Sequence, residues 1–209
     1  MTAYASSAED LALHGVRILG FASSGRVATR FGLDADEVDE TLLDHEARGW
    51  VTQSSFGGTS GWSLTPAGRD ENERRLATEL EQAAARPVVA AAYLTFLPLN
   101  LRLTRAVTDW QIRPSRLDAM QANDHADFAW DQRVQRSLTT IGGELRLVVG
   151  PVASLLARFE GYADRYAAAL LHVEHGQRLW LDAPDRDSVH TVWMQLHEDL
   201  LATLGIERG

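Results

Sequence analysis

The chain has 209 residues, 45% of them hydrophobic and 23% charged, with a formal net charge of −9, which is the balance of a folded globular protein with room for one large or two small domains. The absence of cysteine excludes disulfides and thiolate metal sites. No apolar run of about 18 residues and no basic, apolar leader at the start are read from the sequence, so neither a membrane span nor secretion is expected, and the expected location is cytoplasmic.

In chain order, Ser6 or Ser7 caps a first helix with Glu9 and Asp10 in its first turn, where acids complement the exposed amides. Leu11, Val16, Ile18, Leu19 and Phe21 give it a mostly buried face up to about Ala22, and Ser23-Ser24-Gly25 breaks it. A short second helix turns Val27, Ala28 and Phe31 inward, with Arg26 and Arg30 on its other side. Asp34 caps a third helix over 35–48, whose apolar face is Val38, Leu42, Leu43 and Ala47. Residues 50–55 read as a strand, the glycine-rich 56–61 as a hairpin tip, 62–64 as the return strand, and Pro66 opens a helix to about Ala85.

This order of elements, carried by VATRFGLDADEVDETLLDHEARGWV and GWSLTPAGR, resembles the winged helix-turn-helix domains of MarR- and PadR-like bacterial regulators over roughly the first 85 residues. The resemblance implies a winged helix-turn-helix domain with its exit helix over 1–86, acting as a dimer, with the third helix entering the major groove. Candidate DNA contacts are then Arg26, Arg30, Arg48 and Arg69 for phosphates, with the hydroxyls of Ser24, Thr29, Thr59 and Ser60. Against this stands composition. Residues 1–86 hold 8 arginines and 14 acids, and the third helix with its cap carries Asp34, Asp36, Glu37, Asp39, Glu40, Asp44 and Glu46 before its first arginine, Arg48. Phosphate neutralisation supplies most non-specific DNA affinity, and the hairpin tip offers no arginine. A similar winged segment is also found attached to phosphotransfer enzymes resembling pyruvate phosphate dikinase, which makes a protein-contact module the alternative to a DNA reader.

Arg86-Pro87 marks the expected boundary of an all-helical sensor or dimerisation domain, 87–209. The fold class is therefore mainly α, an α-rich winged domain with a small β-hairpin followed by a helical bundle. Residues 88–107 are nearly apolar around the whole helix circumference, with Tyr93, Thr95, Asn100 and Thr104 as the polar exceptions, which predicts a central, buried helix, and Pro98 should kink or break it. Residues 110–122 form a connection, and Asn123 or Asp124 caps a helix to about Ile141, where Gly142-Gly143 breaks the pattern. A further helix is expected beyond, broken near Gly150-Pro151 and with Leu155, Leu156, Phe159, Tyr162, Tyr166, Leu170 and Val173 facing inward; then comes a short extended piece at 178–182, and a last helix capped by Asp187 or Ser188.

Asp127 and Asp131 sit one turn apart on the apolar side of their helix, and His190 and His197 fall on the apolar face of the last. With Asn100, Trp130 and Trp193 they form a candidate site in a bundle core, to which Asp124 and His125 would add. Three readings stay open: a structural polar network, a small-molecule effector pocket, or a divalent metal. One ion cannot bridge both histidines, which lie about 10 Å apart along the helix. No nucleophile elbow, phosphate-binding glycine loop or HExxH is present, so neither enzymatic activity nor a cofactor is expected. A ligand-responsive regulator comes first, then a winged module that makes protein contacts without DNA, then a small helical ligand- or metal-binding protein.

Overall fold

A computed structural model describes residues 2–207. The chain is mainly helical, with eight α-helices and one two-stranded antiparallel sheet among the described residues. The order is α1 (Ala8–Leu19), α2 (Ser24–Phe31), α3 (Ala35–Ala47), β1 (Val51–Phe56), β2 (Thr59–Leu64), α4 (Pro66–Gln82), α5 (Arg86–Gln111), α6 (Phe128–Ala153), α7 (Tyr162–Glu174) and α8 (Val189–Leu204). Single 3-10 turns lie at Ala157–Phe159 and Arg178–Trp180; the second replaces the extended piece expected at 178–182.

Two compact units emerge, and they do not follow a single cut at Arg86-Pro87. The first comprises 1–89, 153–158 and 195–209; the second comprises 90–152 and 159–194.

In the first unit, capping follows the sequence closely. Ser7 accepts from the Asp10 amide, Ser23 from that of Arg26, Asp34 from those of Asp36 and Glu37, and Thr65 from that of Gly68, so each helix start has orphan donors satisfied by a side-chain oxygen. The hairpin pairs Val51 with Leu64 and Gln53 with Trp62, and turns at Gly57-Gly58. Ala22 adds a further antiparallel bridge to Trp62, with both backbone hydrogen bonds made at 3.2 and 2.8 Å. The core gathers Leu13, Val16, Val27, Val38, Leu42 and Trp62. On α3 the buried face is Val38, Leu42 and His45. Leu43 is half exposed and Ala47 exposed, because His45 takes the inward position under Trp50, 5.2 Å between ring centres. Gly68 has a steric reason: a Cβ there would lie 1.8 Å from the Trp50 carbonyl oxygen.

The second unit departs further from expectation. α5 runs without a break through Pro98, and α6 without a break through Gly142, Gly143, Gly150 and Pro151. Pro98 lies on the exposed side of α5, where loss of one amide donor leaves the packed side undisturbed. Gly142 is a packing residue: a Cβ would meet the Tyr166 ring at 2.8 Å, and the Tyr166 hydroxyl donates to the Leu138 carbonyl at 3.0 Å. Asp127, not Asn123 or Asp124, caps the start of α6 by accepting from the Trp130 amide. Ser188 accepts from the Thr191 amide at the start of α8.

The largest correction concerns α5. Phe96, Leu99, Leu103 and Trp110 are buried, but Leu94 is 67% exposed and Leu101 73%. The helix is also long and apolar enough, by length and composition, to cross a membrane, with most of its apolar window exposed.

The Gly142–Tyr166 contact yields a direct expectation. Gly142→Ala should destabilise the chain by about 1–3 kcal/mol through overpacking. Gly143→Ala, with nothing near its Cβ position, should be neutral or stabilising through its better helix propensity. Urea unfolding of the two variants separates them.

Candidate functional site

The surface of α2, α3, the hairpin and the start of α4 holds the eight expected DNA contacts. Six of them are engaged within the chain. Ser24 accepts from the Trp62 indole N–H at 3.0 Å and donates to Asp39. Arg30 donates to the Arg158 carbonyl at 3.1 Å and lies over the Phe31 ring. Arg48 pairs with Glu9 at 3.0 Å and stacks on Trp50. Arg69 lies 3.6 Å from Glu198. Thr29 folds back onto the Gly25 carbonyl, and Ser60 shares its hydroxyl with Ser55. Thr29, Thr59 and Ser60 remain exposed and Arg26 half-exposed. The acids of α3 are exposed throughout. Asp39 receives Ser24 and Glu46 receives the Gln53 amide, while among the described residues no arginine reaches Asp36, Glu37, Glu40 or Asp44. The face that would meet phosphates is therefore negative, with Arg26 its most available cation.

Behind this surface lies a cluster that sequence reading did not find. Arg158 is 5% exposed. Its Nε donates to both Glu79 oxygens at 3.2 Å, Nη1 to Asp199, and Nη2 to the Thr203 hydroxyl at 2.7 Å. His14, also buried, sets Nε2 3.1 Å from Asp199 and Nδ1 3.5 Å from the Asn72 amide oxygen. Arg17 joins Asn72 to Glu198 and Glu73. Burial alone would raise the Asp199 carboxyl, but Arg158 and His14 outweigh it and hold it well below the usual carboxylate range. Burial likewise opposes the Arg158 charge, and Asp199 and Glu79 more than compensate. A cavity of about 240 Å³ opens beside the cluster, lined in part by Tyr4, His14, Asn72, Glu79 and Arg158. Its flanking Arg74 and Arg75 are bound to Glu71, and Arg75 also to Asp10. The arrangement neutralises buried charge; its charges are satisfied without a ligand.

The seven candidate residues of the second half do not converge on one pocket. Asp131 pairs with His125 at 2.9 Å and accepts from the Asn123 amide at 2.9 Å. It meets this partner, only six residues away, because His125 adopts a left-handed backbone (φ 57°) in the loop before α6 and packs on Trp110. Asp127 pairs with Arg113 at 2.8 Å. Trp193 is fully buried, stacked on Phe96 at 4.7 Å, and donates its indole N–H to Asn100 at 2.8 Å; these two expected residues do meet, as a closed pair. His190 is half-buried, which lowers its basicity against the opposing pull of Asp182. His197 falls in the first unit and is half-buried. Trp130 donates to the Asp109 carbonyl at 2.6 Å and carries Arg133 over its ring. It lines an open cleft of about 520 Å³ between α5 and α6, together with Arg102, Arg105 and Val134. Among the described residues no group of three or more His, Asp or Glu side chains is placed to hold a metal ion.

Comparison of the chain with protein-family models, with curated proteins and with solved structures finds no match in any of the three.

Arg158→Met strands two buried carboxylates, so it should cost about 3–5 kcal/mol. Arg113→Met removes only a half-exposed pair with Asp127 and should cost far less. Urea unfolding at neutral pH checks both. The pH dependence has a definite sign. Asp199 and His45 both have depressed values in the folded chain, His45 because burial disfavours its cation. Each therefore binds fewer protons folded than unfolded. Their stabilisation is present above the unfolded values, about 6.5 for His and about 4 for Asp, and is lost as pH falls through the folded ones. Unfolding free energy should drop on acidification from neutral pH, first through the histidine range and then through the carboxylate range. A flat profile between pH 7 and 3 would contradict the assignment.

Proposed function

We propose that the N-terminal portion is a winged helix-turn-helix module, that the remaining residues form a helical bundle, and that the chain acts as a bacterial-type transcriptional regulator. One observation carries this reading. The Ala22 bridge to Trp62 supplies a minimal third strand between α1 and α2, set against the hairpin that follows α3. With α2 and α3 joined by the short Gly32–Asp34 turn, this is the arrangement in which winged modules hold a recognition helix and a wing together. In the proposed mode α3 approaches the major groove, and Arg26, Thr29, Thr59 and Ser60 contact the backbone. The helical half provides dimerisation and takes a small amphipathic effector in the α5–α6 cleft, where Trp130 offers a ring and Arg133 a charge. No cofactor or catalytic step enters the proposal.

A second reading rests on the exposed acids of α3. Asp36, Glu37, Glu40 and Asp44 repel phosphate and suit a basic protein surface, so the module would dock a cationic partner and leave DNA unbound.

Fluorescence anisotropy on DNA from upstream of the chain's own gene, at about 50 and 200 mM salt, separates the two. The regulator reading expects binding at low salt that weakens steeply with added salt, and a salt slope reduced by about 1 in Arg26→Ala. Absence of binding at low salt refutes it. Capture of an arginine-rich peptide, lost in the triple variant Asp36→Asn, Glu37→Gln, Glu40→Gln, would then establish the second reading.

A further inference from the structure

We infer that the outward face of α5 is the seam along which two copies of this chain associate, with the two α5 helices antiparallel. The inference rests on the dimeric regulator reading and names its interface.

α5 carries apolar residues on both sides, yet the chain covers only one of them. At 100° per residue, buried Phe96, Leu99 and Leu103 centre on one side. Ala91, Leu94, Pro98 and Leu101 lie opposite, and all four are exposed. Their spacing of 3, 4 and 3 residues is that of a knobs-into-holes seam. Leu97, 37% exposed, flanks it. On α6, Leu147 is 76% exposed and lies three residues beyond Glu144, which Arg102 of α5 grips at 2.8 Å. A helix apolar on both sides belongs inside a larger assembly.

Three considerations select a second copy as the occupant. The first is area: these four leucines alone expose on the order of 450 Å² of side chain, above half of the roughly 800 Å² per partner that a stable interface buries. The second is charge. The seam continues from Leu101 to Arg105, so a parallel pair would set Arg105 against Arg105. Antiparallel pairing centred beside Pro98 brings Leu94 within one residue of register with Leu101 of the other copy and Arg105 against Ala91, which removes the repulsion. One patch then serves both partners, as two-fold symmetry requires. The third concerns a lipid surface, the other apolar occupant. Arg102 and Arg105 interrupt the exposed face with the acids Glu144 and Asp109 beside them, and the chain's net charge is −9; neither feature favours an anionic bilayer.

The test measures mass in the absence of DNA, so it stands apart from DNA binding. Wild type should sediment as a dimer at micromolar concentration. Leu94→Glu and Leu101→Arg should each give a monomer, with a dissociation constant weakened on the order of 100-fold, while keeping the wild-type circular dichroism, since neither side chain packs in its own core. The double variant Leu94→Glu, Leu101→Arg should regain dimerisation, because antiparallel pairing sets each glutamate against an arginine. A monomeric wild type overturns the proposal, as do single variants that remain dimeric. A double variant weaker than either single one overturns the antiparallel arrangement. Co-sedimentation of a monomeric wild type with phosphatidylglycerol vesicles, lost in the leucine variants, would reassign the face to membrane.

Discussion

The buried guanidinium of Arg158 is the interaction on which the first unit turns. It sits on a 3-10 turn late in the sequence and binds Glu79 of α4, Asp199 and Thr203 of α8, and through Asp199 reaches His14 of α1. Desolvating such charges costs several kcal/mol each. The cost is met only when all are present together, because Asp199 and Glu79 would otherwise be stranded. The network therefore acts as an all-or-none fastener for three sequence-distant pieces. Tyr4 supports the same junction by exchanging backbone hydrogen bonds with Leu155 and Ala157.

This explains which parts of the fold could be read in the sequence. Helix starts were legible because their signals are local: Asp34 caps α3 and Pro66 opens α4 through contacts within three residues. The hairpin was legible for the same reason, although its tip is only Gly57-Gly58 and the return strand starts at Thr59, inside the tip expected over 56–61. Arg158 was not, since its partners lie 41 to 144 residues away and nothing in its neighbours distinguishes it from a surface arginine. Gly142 misled in a different way. A glycine inside a helical pattern reads as a break, whereas here it admits the Tyr166 ring while the helix continues.

The candidate site was legible in its residue types and not in its geometry. Asp131 and a histidine do pair, but the histidine is His125, brought close by a left-handed backbone that periodicity cannot anticipate. Arg30 and Arg48 sit where phosphate contacts were expected, and the chain uses both internally. The exposure of α5 shows the limit of the periodicity argument itself. An all-round apolar helix signals that both sides want cover, and the sequence does not say whether that cover comes from the same chain.

The close approach at Gly68 bears on how the first unit can move. Thr65 donates its amide to the Trp50 carbonyl at 3.0 Å and its hydroxyl to the Gly49 carbonyl at 2.6 Å, and Gly68 presses its bare Cα against the same turn. With no side chain between them to act as a cushion, α4 cannot tilt against β1 without breaking these bonds. Hairpin and α4 therefore behave as a single lever 17 helical residues long. A displacement of the helix's far end is delivered at the hairpin tip as a rotation, undamped by any soft joint at their junction.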